Sequence, residues 1–549
     1  MPSALDCLVL GYDDDTPRQF ARQSAGGDQC GSVEHRSFLR NQVTIGGAPL
    51  TYMDVLNELR TEKPFYHVGE VTNLAALYLV SYLTARGCTA RPIGLVSAEE
   101  NTLIDALAHD RPRVVAITTT FYEDTSSVER LVTLVRQHCP SAFIVVGGPL
   151  VQNLYHDLPT AEFQCALERM RADAYVSESE GEHTLLALVN AVRGGDDLST
   201  VPNTFLAVRD CFEFTFVQRE ENRLDECAID WSRVPPVLLG KTVQTRTARS
   251  CAYHCSFCDY PIRAGRLSVA SVEVVEHELE MLKSRGVENV VFVDDTFNVP
   301  EERFRQLCEM MIRRRFDFRW FSYFRCGSVR KRDTFDLARQ SGCTGVFLGI
   351  ESGDAQVLRN MDKASTVDQY LRGVEALHEN GILTFASFIA GFPGETDASL
   401  RNTIDFLNAA APTLYRVEPW WYNHRAPIHL RASDFGLTGR AYDWRHATMS
   451  AQDACDGIDE IFASVTTSRW CPQQSFSFWA LPYLVGKGMS IGELVTFQSL
   501  LHDLLPVTTQ RGSSSGLLGA PDALTHFVNG LQLSEPRFVR PLAGVPGSR

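Results

Sequence analysis

The sequence predicts an α/β protein with two successive domains built on parallel sheets, followed by a mainly helical C-terminal region. Strand patterns alternate with helical patterns between residues 61 and 205, and the alternation resumes for six units between residues 241 and 425. Strands that alternate with helices indicate parallel sheets. The intervening residues 206–240 are predicted to form a linker, because a short hairpin-like alternation is followed by Pro235 and Pro236.

The first domain is predicted to be doubly wound, that is, Rossmann-like. A helical pattern in TNLAALYLVSYLTARG ends at Gly87, and a buried strand, RVVAITTT, covers Arg113 to Thr120. A helix in SSVERLVTLVRQH, the strands FIVVGGP and ADAYVSESEGE, and a helix in HTLLALVNAVRGG follow in that order. Residues 1–60 have no clear period, and SAGGDQCGS within them reads as a loop, so we expect a separate N-terminal segment there.

The second domain is predicted to be an open, partial (β/α)6 barrel. Six βα units are too few to close an eight-stranded barrel, and active-site residues of such barrels lie at the C-terminal ends of the strands. The predicted strands lie in VQTRTAR, ENVVFVDDTF, FRWFSYFRC, GVFLGIES, LTFASFIAGFPGET and TLYRVEPWW.

The composition restricts the class of protein. A chain of 549 residues with 44% hydrophobic and 22% charged residues is typical of soluble, multidomain proteins. The net charge of −15 argues against nucleic acid as a partner, because such binding requires Lys and Arg to neutralise phosphates. We find no apolar stretch near 18 residues and no basic-then-apolar N-terminus, so we expect a cytoplasmic protein without a membrane span.

The cysteines indicate a metal site. Fifteen cysteines are an odd number, and only Cys251, Cys255 and Cys258 have ligand spacing, as C-x3-C-x2-C directly after the first barrel strand. A structural zinc ion takes four ligands, and no second pair follows at finger-like spacing. Thiolates suit iron–sulfur chemistry, and three of them on a cubane cluster leave one iron without a protein ligand. Three buried thiols without special purpose are the alternative, although thiols this close invite oxidation.

These residues carry a resemblance to a known family. The segment CAYHCSFC, residues 251–258, resembles the signature of the radical S-adenosylmethionine (SAM) enzymes, and VVFVDDTF, GIES and GFPGET resemble the second, fourth and fifth strands of that family's partial barrel. The resemblance implies a [4Fe-4S] cluster on the three cysteines, with SAM bound to the open iron through its amino and carboxylate groups. Reductive cleavage of SAM then yields a 5′-deoxyadenosyl radical, which requires an electron donor such as flavodoxin or ferredoxin.

The same resemblance implies five SAM contacts. Phe257 is expected near the adenine, and Ser322 near the ribose. Glu351 is expected near the amino group or the ribose, whereas Arg325 pairs either with Glu351 or with the SAM carboxylate. A purely structural ion pair at the barrel mouth is the alternative for both charged residues. Gly391 is expected to allow close approach of the cofactor.

The first domain suggests a second cofactor. Its strand ends Thr-Thr-Thr, Gly-Gly-Pro and Glu-Gly-Glu are similar to those of the cobalamin-binding domain of class B radical SAM methylases, although each alone is also typical of a turn. Ligands of doubly wound sheets bind beyond the carboxyl ends of the strands. The motif Asp-x-His-x-x-Gly is absent, so we expect no protein histidine on cobalt. The implied contacts are Thr118, Thr119, Thr120, Tyr122, Gly147, Gly148, Pro149, Glu180 and Gly181.

Two further features have structural and functional interpretations. Asp294 and Asp295 are expected to cap the next helix or to accept hydrogen bonds at the barrel mouth. The C-terminal region, residues 426–549, begins beside a concentration of tryptophan and histidine that predicts either a core or a substrate pocket. This pattern resembles the tail of the group that contains the phosphinothricin-type P-methyltransferases.

Three functions remain open. The first is a cobalamin-dependent radical SAM methyltransferase that acts on an unactivated carbon or a phosphinate phosphorus of a small-molecule or carrier- or peptide-bound substrate in natural-product biosynthesis. The second keeps the cobalamin and the radical but transfers no methyl group, as in ring contraction or cyclisation. The third is an iron–sulfur electron-transfer or sensor protein, against which Phe257, GIES and GFPGET argue.

Overall fold

The computed structural model describes residues 5–14, 32–45, 48–122, 124–209, 211–472, 479–505 and 522–539. The chain forms two compact units: residues 1–18, 69–240 and 538–549 make the first, and residues 19–68 and 241–537 make the second. Two predicted features fall outside the described residues: the loop SAGGDQCGS apart from Ser32, and the QQSFSF part of the aromatic-rich C-terminal region.

The first unit contains a seven-stranded sheet. Its strands are β1 (Cys7–Tyr12), β2 (Ala90–Leu95), β3 (Val114–Thr118), β4 (Phe143–Gly147), β5 (Ala174–Val176), β6 (Thr204–Val208) and β7 (Cys211–Phe214). They lie in the order β2-β1-β3-β4-β5-β6-β7. The strands from β2 to β5 are parallel, and the hairpin of β6 and β7 extends the sheet in antiparallel fashion.

Helices cover both faces of this sheet, which confirms the doubly wound prediction. Side chains alternate between the two faces of a strand, so Leu8 and Leu10 of β1 enter one hydrophobic core and Cys7 and Val9 enter the other. The first core is closed by Val96–Asp105, Ser126–His138, Pro149–Asp157 and Thr160–Met170, and the second by Leu74–Ala85 and Glu182–Gly194.

Two predicted boundaries of the first domain are wrong. Strand β1 lies in the middle of the sheet between β2 and β3, so residues 1–60 are not a separate segment. Strand β1 is buried on both faces, and such a strand has no alternation by which a short sequence can be recognised. The predicted linker, residues 206–240, contains β7 and most of β6, because the hairpin pairs with β5 instead of crossing to a new domain.

The second unit contains a seven-stranded, all-parallel sheet whose order follows the chain. The six predicted barrel strands are confirmed, and a seventh short strand pairs with the sixth. The strands are β8 (Thr242–Thr245), β9 (Asn289–Phe292), β10 (Arg319–Phe324), β11 (Cys343–Glu351), β12 (Leu383–Ala390), β13 (Leu414–Pro419) and β14 (Arg469–Trp470).

The helices between these strands begin at recognisable caps. Ser271 caps Val272–Ser284, and Thr366 and Thr396 form capping boxes with the third residue of their helices. A side-chain oxygen at this position satisfies an amide that has no partner within the helix. The helices are Val272–Ser284, Glu301–Arg314, Asp333–Gln340, Ala355–Asn360, Val367–Glu379 and Asp397–Ala410.

The remainder of the second unit comes from both ends of the chain. The helices Val33–Arg40 and Tyr52–Leu59 belong to it, and Arg40 donates to the buried Asp459 with an Nε–Oδ1 distance of 2.7 Å. The C-terminal region is mainly helical, as predicted, with Ala451–Ser464, Ala480–Gly486, Ile491–His502 and Asp522–Gly530. A small antiparallel sheet, Thr438–Arg440, Asp443–His446 and Met449–Ser450, precedes them. Among the described helices, none combines the length and the apolar character that crossing a bilayer requires.

Candidate active site

The three predicted ligand cysteines lie together on one cavity. Cys251, Cys255 and Cys258 follow β8 and line a cavity of about 280 Å³ at the carboxyl ends of the barrel strands. Ser250, just before the first cysteine, has a φ of 70° and turns the chain into this loop. The cavity is also lined by Tyr253, Phe257, Asp295, Thr296, Tyr323, Arg325, Glu351, Lys363 and Ser387.

Ser256, in the middle of the cysteine loop, makes three hydrogen bonds with neighbouring segments through its backbone and its side chain. The Ser256 amide donates to the Met361 carbonyl at 2.9 Å, and its hydroxyl donates to the Asn360 carbonyl at 2.7 Å. The Ile428 amide donates to the Ser256 carbonyl at 2.8 Å. These contacts fix the middle of the loop that carries the three cysteines.

The environment of the thiols suits a metal cluster. Burial raises the pKa of Cys258 to about 11, so the thiolate needs a compensating positive charge or a metal. The Sγ atom of Cys251 is 3.7 Å from the Thr296 hydroxyl. His254 lies within the motif but is exposed, so the donors that line the cavity here are thiols and not imidazole. Three soft donors on one cavity fit an iron–sulfur cluster with one open iron.

The neighbouring aspartates have different roles. Asp294 is buried and accepts hydrogen bonds from the amides of Thr247 and Ala248 at 2.6 and 3.0 Å and from the Thr247 hydroxyl. It therefore orders the chain that leads into the cysteine loop, as an acceptor and not as a helix cap. Asp295 faces the cavity, and the surrounding protein together with the charge of Asp294 raises its pKa to about 7.

Arg325 is buried beside the cysteine loop. Its guanidinium carbon is 3.7 Å from the centre of the Tyr253 ring, and its Nη1 atom is 3.9 Å from Sγ of Cys255. A second guanidinium nitrogen donates to the Lys363 carbonyl, whereas the buried Nε has no hydrogen-bond partner among the described residues. The ion pair with Glu351 that the sequence left open does not form. The Arg325 guanidinium therefore lies beside the Cys255 thiol and on the cavity, where it can contact a ligand.

Glu351 instead pairs with Lys363, which the sequence analysis missed. The Lys363 Nζ atom donates to Oε1 of Glu351 at 2.9 Å, and both side chains are buried. Burial alone would lower the pKa of Lys363, but the charge of Glu351 raises it above its ordinary value. Gly349 leaves the room for this carboxylate, since a Cβ there would lie 2.6 Å from Oε1. A lysine in a loop twelve residues away gives no sequence signal of this contact.

The other predicted SAM contacts are distributed unevenly. Phe257 lines the cavity, with the Lys363 ammonium 5.4 Å from the centre of its ring. Ser322 is buried but does not line the cavity, because it shares a face of β10 with Trp320, which packs against the helix residue Phe304. The neighbouring Tyr323 faces the cavity instead.

Gly391 and the tryptophans make a core. Gly391 has a φ of 91°, and a Cβ there would lie 2.3 Å from the Trp444 ring, so the close neighbour of this glycine is Trp444. Trp444 donates to the Trp420 carbonyl at 2.8 Å, and the two rings are 5.3 Å apart. Trp420 and Trp444 are buried, which agrees with the core interpretation of these aromatic residues.

In the first unit, the predicted strand ends lie on adjacent strands. Thr118 ends β3 and Thr119 follows it, and Gly147 ends the neighbouring β4. Thr118 donates to the carbonyl of Gly11, which lies in β1, and Thr119 donates to the Gly147 carbonyl. Both hydroxyls therefore support the backbone, while Thr120 is exposed. The ends of β1, β3 and β4 form one edge, and β1 and β3 flank the switch point where doubly wound sheets bind ligands.

The remaining strand-end residues have structural roles of their own. Gly148 has a φ of 110° and precedes Pro149, the first residue of a helix, and Gly181 has a φ of 78° before Glu182–Gly194. Tyr122 is buried in the first core. The carboxylates of Glu180, Glu182 and Glu220 lie within 4.8 Å of one another, but amides of residues 183, 184 and 222 donate to two of them.

The comparisons with known proteins agree with this geometry. The sequence profile of the Radical SAM superfamily matches residues 245–407, the part of the chain that carries the cysteine loop and β9 to β12. The chain therefore contains a radical SAM domain. Its fold is similar to that of the radical SAM methyltransferase TsrM from Kitasatospora setae, whose structure contains cobalamin and a [4Fe-4S] cluster, with a TM-score of 0.55 and 20% identity over 66% of this chain and 75% of that chain.

Two curated relatives are similar at greater sequence identity. An uncharacterized methyltransferase from Pyrococcus horikoshii is 27% identical over 352 residues, which cover 58% of this chain and 73% of the relative. The anaerobic magnesium-protoporphyrin IX monomethyl ester cyclase of Rubrivivax gelatinosus is 27% identical over 360 residues, which cover 59% of this chain. The similar region spans only 60% of the cyclase's own length.

Proposed function

We propose that this radical SAM enzyme is a cobalamin-dependent methyltransferase that acts on an unactivated carbon or a phosphinate phosphorus in natural-product biosynthesis. The observation that carries the proposal is the convergence of Cys251, Cys255 and Cys258 on one cavity that also contains Arg325 and Glu351. Among the residues that line this cavity, no fourth cysteine or histidine completes the ligand set.

The residues on the cavity fit a cluster and SAM. The three thiols supply soft donors, and the Phe257 ring offers an apolar face to the adenine. Arg325 has a buried nitrogen without a hydrogen-bond partner, which suits the SAM carboxylate. When bound, the reduced cluster supplies the electron that cleaves SAM to a 5′-deoxyadenosyl radical. Tyr323 and Phe347 make the cavity wall apolar at the end of the barrel, which excludes water from a reactive species.

The first unit fits cobalamin by its topology. Its order β2-β1-β3-β4-β5 places a switch point between β1 and β3. A ligand there would lie near Thr120, near Gly147 at the end of β4, and near Gly148. There is little room for a side chain at position 147, because a Cβ added to Gly147 would lie 3.3 Å from the Cβ of Val176. Methylcobalamin would supply the methyl group. TsrM, whose fold is similar, carries both cobalamin and a cluster.

A second candidate keeps the same cofactors but ends without methyl transfer. The similarity to a magnesium-protoporphyrin cyclase favours this possibility, since ring formation is the activity of that relative. An electron-transfer or sensor role is disfavoured, because such a role does not require a cavity with an arginine, a Glu–Lys pair and an aromatic ring next to the cysteines. The remaining parts of the proposal are a small-molecule or carrier-bound substrate, an external electron donor and a cytoplasmic location.

The test is anaerobic reconstitution followed by incubation with reductant, cobalamin and methyl-labelled SAM. We expect about four irons per chain, formation of 5′-deoxyadenosine, and transfer of the labelled methyl group to the added cobalamin; 5′-deoxyadenosine with unlabelled cobalamin would favour the second candidate. Cys251, Cys255 and Cys258 replaced together by Ala should abolish the iron and the cleavage. Replacing the exposed Cys165 and Cys211 by Ala is the control. An intact cluster in the triple variant would contradict the ligand assignment.

A further inference from the structure

One short segment connects several parts of the site. Residues 360–363, here called the bracket segment, begin at the last residue of the helix Ala355–Asn360 and lead toward the helix Val367–Glu379. The carbonyls of Asn360 and Met361 accept the two hydrogen bonds from Ser256 in the cysteine loop. The bracket segment therefore sets the position of the cysteine loop relative to the residues on the opposite wall of the cavity.

Lys363, at the end of the bracket segment, contacts three predicted SAM-binding residues. Its carbonyl accepts a hydrogen bond from the Arg325 guanidinium. Its ammonium group donates to Oε1 of Glu351 at 2.9 Å and lies 5.4 Å from the centre of the Phe257 ring. A single residue thus links the cation beside the cluster ligands, the carboxylate at the end of β11 and the aromatic ring.

Fold stability does not account for this arrangement. Burying a lysine and a glutamate costs desolvation that their attraction only partly offsets, so such a pair is a weak source of stability. Glu351 also has a φ of 71°, which is unfavourable for a residue with a side chain, and the register of β11 shifts between Gly349 and Glu351. Backbone strain of this kind is concentrated at functional sites.

The charge balance indicates which group of a ligand Glu351 binds. Its Oε1 atom is occupied by Lys363, and its Oε2 atom accepts no hydrogen bond from the described residues. Because Lys363 already neutralises the carboxylate and sits beside it, a cationic amino group would be repelled, whereas neutral hydroxyl groups would not. The Phe257 ring next to Lys363 suits a base, and the ribose of a nucleoside lies beside its base.

We propose that Lys363 is a positioning residue of the nucleoside site, which holds Oε1 of Glu351 so that Oε2 accepts hydrogen bonds from the ribose hydroxyls of SAM. Its carbonyl holds Arg325 beside the cysteine loop at the same time. This inference rests on the proposed function. It adds the role of Lys363, since a contact of Glu351 with the ribose is already among the contacts that the family resemblance implies.

The experiment measures equilibrium binding of 5′-methylthioadenosine, its 2′-deoxy analogue and S-adenosylhomocysteine to the reconstituted protein. Lys363→Met should weaken binding of 5′-methylthioadenosine by about 10-fold or more, the usual loss for a charge-assisted contact. The 2′-deoxy analogue should bind more weakly than 5′-methylthioadenosine to the native protein, and equally to Lys363→Met. Lys363→Arg, which keeps the charge, should restore most of the affinity.

Two controls separate positioning from structure. Lys241→Met removes an exposed lysine that pairs with Glu288 at 2.6 Å, at the start of β8, and should leave binding unchanged. The double variant Glu351→Gln, Lys363→Met leaves no unpaired buried charge, so it should fold and should bind no more weakly than the weaker single variant.

Three results would overturn the inference. They are native affinity for 5′-methylthioadenosine in Lys363→Met, a loss confined to S-adenosylhomocysteine, or a 2′-hydroxyl effect that persists in the double variant. If the native protein itself binds neither nucleoside and holds no cluster, the proposed function fails instead.

Discussion

The Nη1 atom of Arg325 lies 3.9 Å from the Sγ atom of Cys255, although the two residues are 70 positions apart in the chain. Arg325 follows β10, and Cys255 lies in the loop after β8, so the contact forms only when the parallel sheet brings the carboxyl ends of its strands to one edge. A buried guanidinium beside a thiolate lowers the cost of the negative charge that a cluster and its ligands bring into the cavity.

Arg325→Leu should weaken binding of S-adenosylhomocysteine about 10- to 100-fold, because a charge-assisted hydrogen bond is worth about 1.5–3 kcal/mol. The measurement is calorimetric titration of the reconstituted protein. Arg332→Leu, which removes an exposed guanidinium paired with Glu379 at 2.7 Å, is the matched control. Equal affinity in the two variants would mean that Arg325 only supports the fold.

Asp294→Asn should destabilise the second unit by about 1–3 kcal/mol, since one amide oxygen cannot replace two carboxylate oxygens that receive two backbone amides and a hydroxyl. Asp295→Asn, one residue later, should change stability little at pH 6, because the pKa of Asp295 is raised to about 7 and the native side chain is largely protonated there. Denaturant unfolding at pH 6 compares the two. A larger loss for Asp295→Asn would contradict the assignment of roles.

Glu395 should make the stability of the protein depend on pH. The carboxyl group is buried, and burial raises its pKa to about 8 from an ordinary value near 4.5. The unfolded chain ionises at the lower pH, so the folded state loses relative stability as pH rises from about 4.5 to 8, by at most about 1.4 kcal/mol per pH unit.

Glu395→Gln cannot ionise and can still accept the hydrogen bond from the Gly391 amide. The midpoint temperature of thermal unfolding should therefore rise for the variant relative to the native protein as the pH increases from 5 to 8. A difference that is constant with pH would show that the group is already ionised in the fold. Glu493→Gln is the control. Glu493 lies in the capping box of a helix, and a hydrogen bond from the Ser490 side chain lowers the pKa of its carboxylate.

Cobalamin should bind the first unit without a histidine on cobalt. The loop from Thr118 to Tyr122 contains no histidine. The histidine that follows the end of β5, His183, is the second residue of a helix and is exposed. Electron paramagnetic resonance of the cob(II)alamin form tests this. We expect identical spectra for the native protein and His183→Ala, and nitrogen splitting that disappears in the variant would refute the prediction.

The sequence by itself determined the local features of this protein. The alternation of strands and helices, the six barrel strands and the C-x3-C-x2-C spacing are patterns of neighbouring residues, and each of them is present in the structure. The tertiary structure alone decided which side chains share the cavity. Trp320 and Ser322 face the helices while Tyr323 faces the cavity, and no alternation of polarity marks this because β10 is covered on both faces. The pairing of Lys363 with Glu351 and the place of β1 between β2 and β3 depend on contacts between distant parts of the chain, which a single sequence does not encode in any local period.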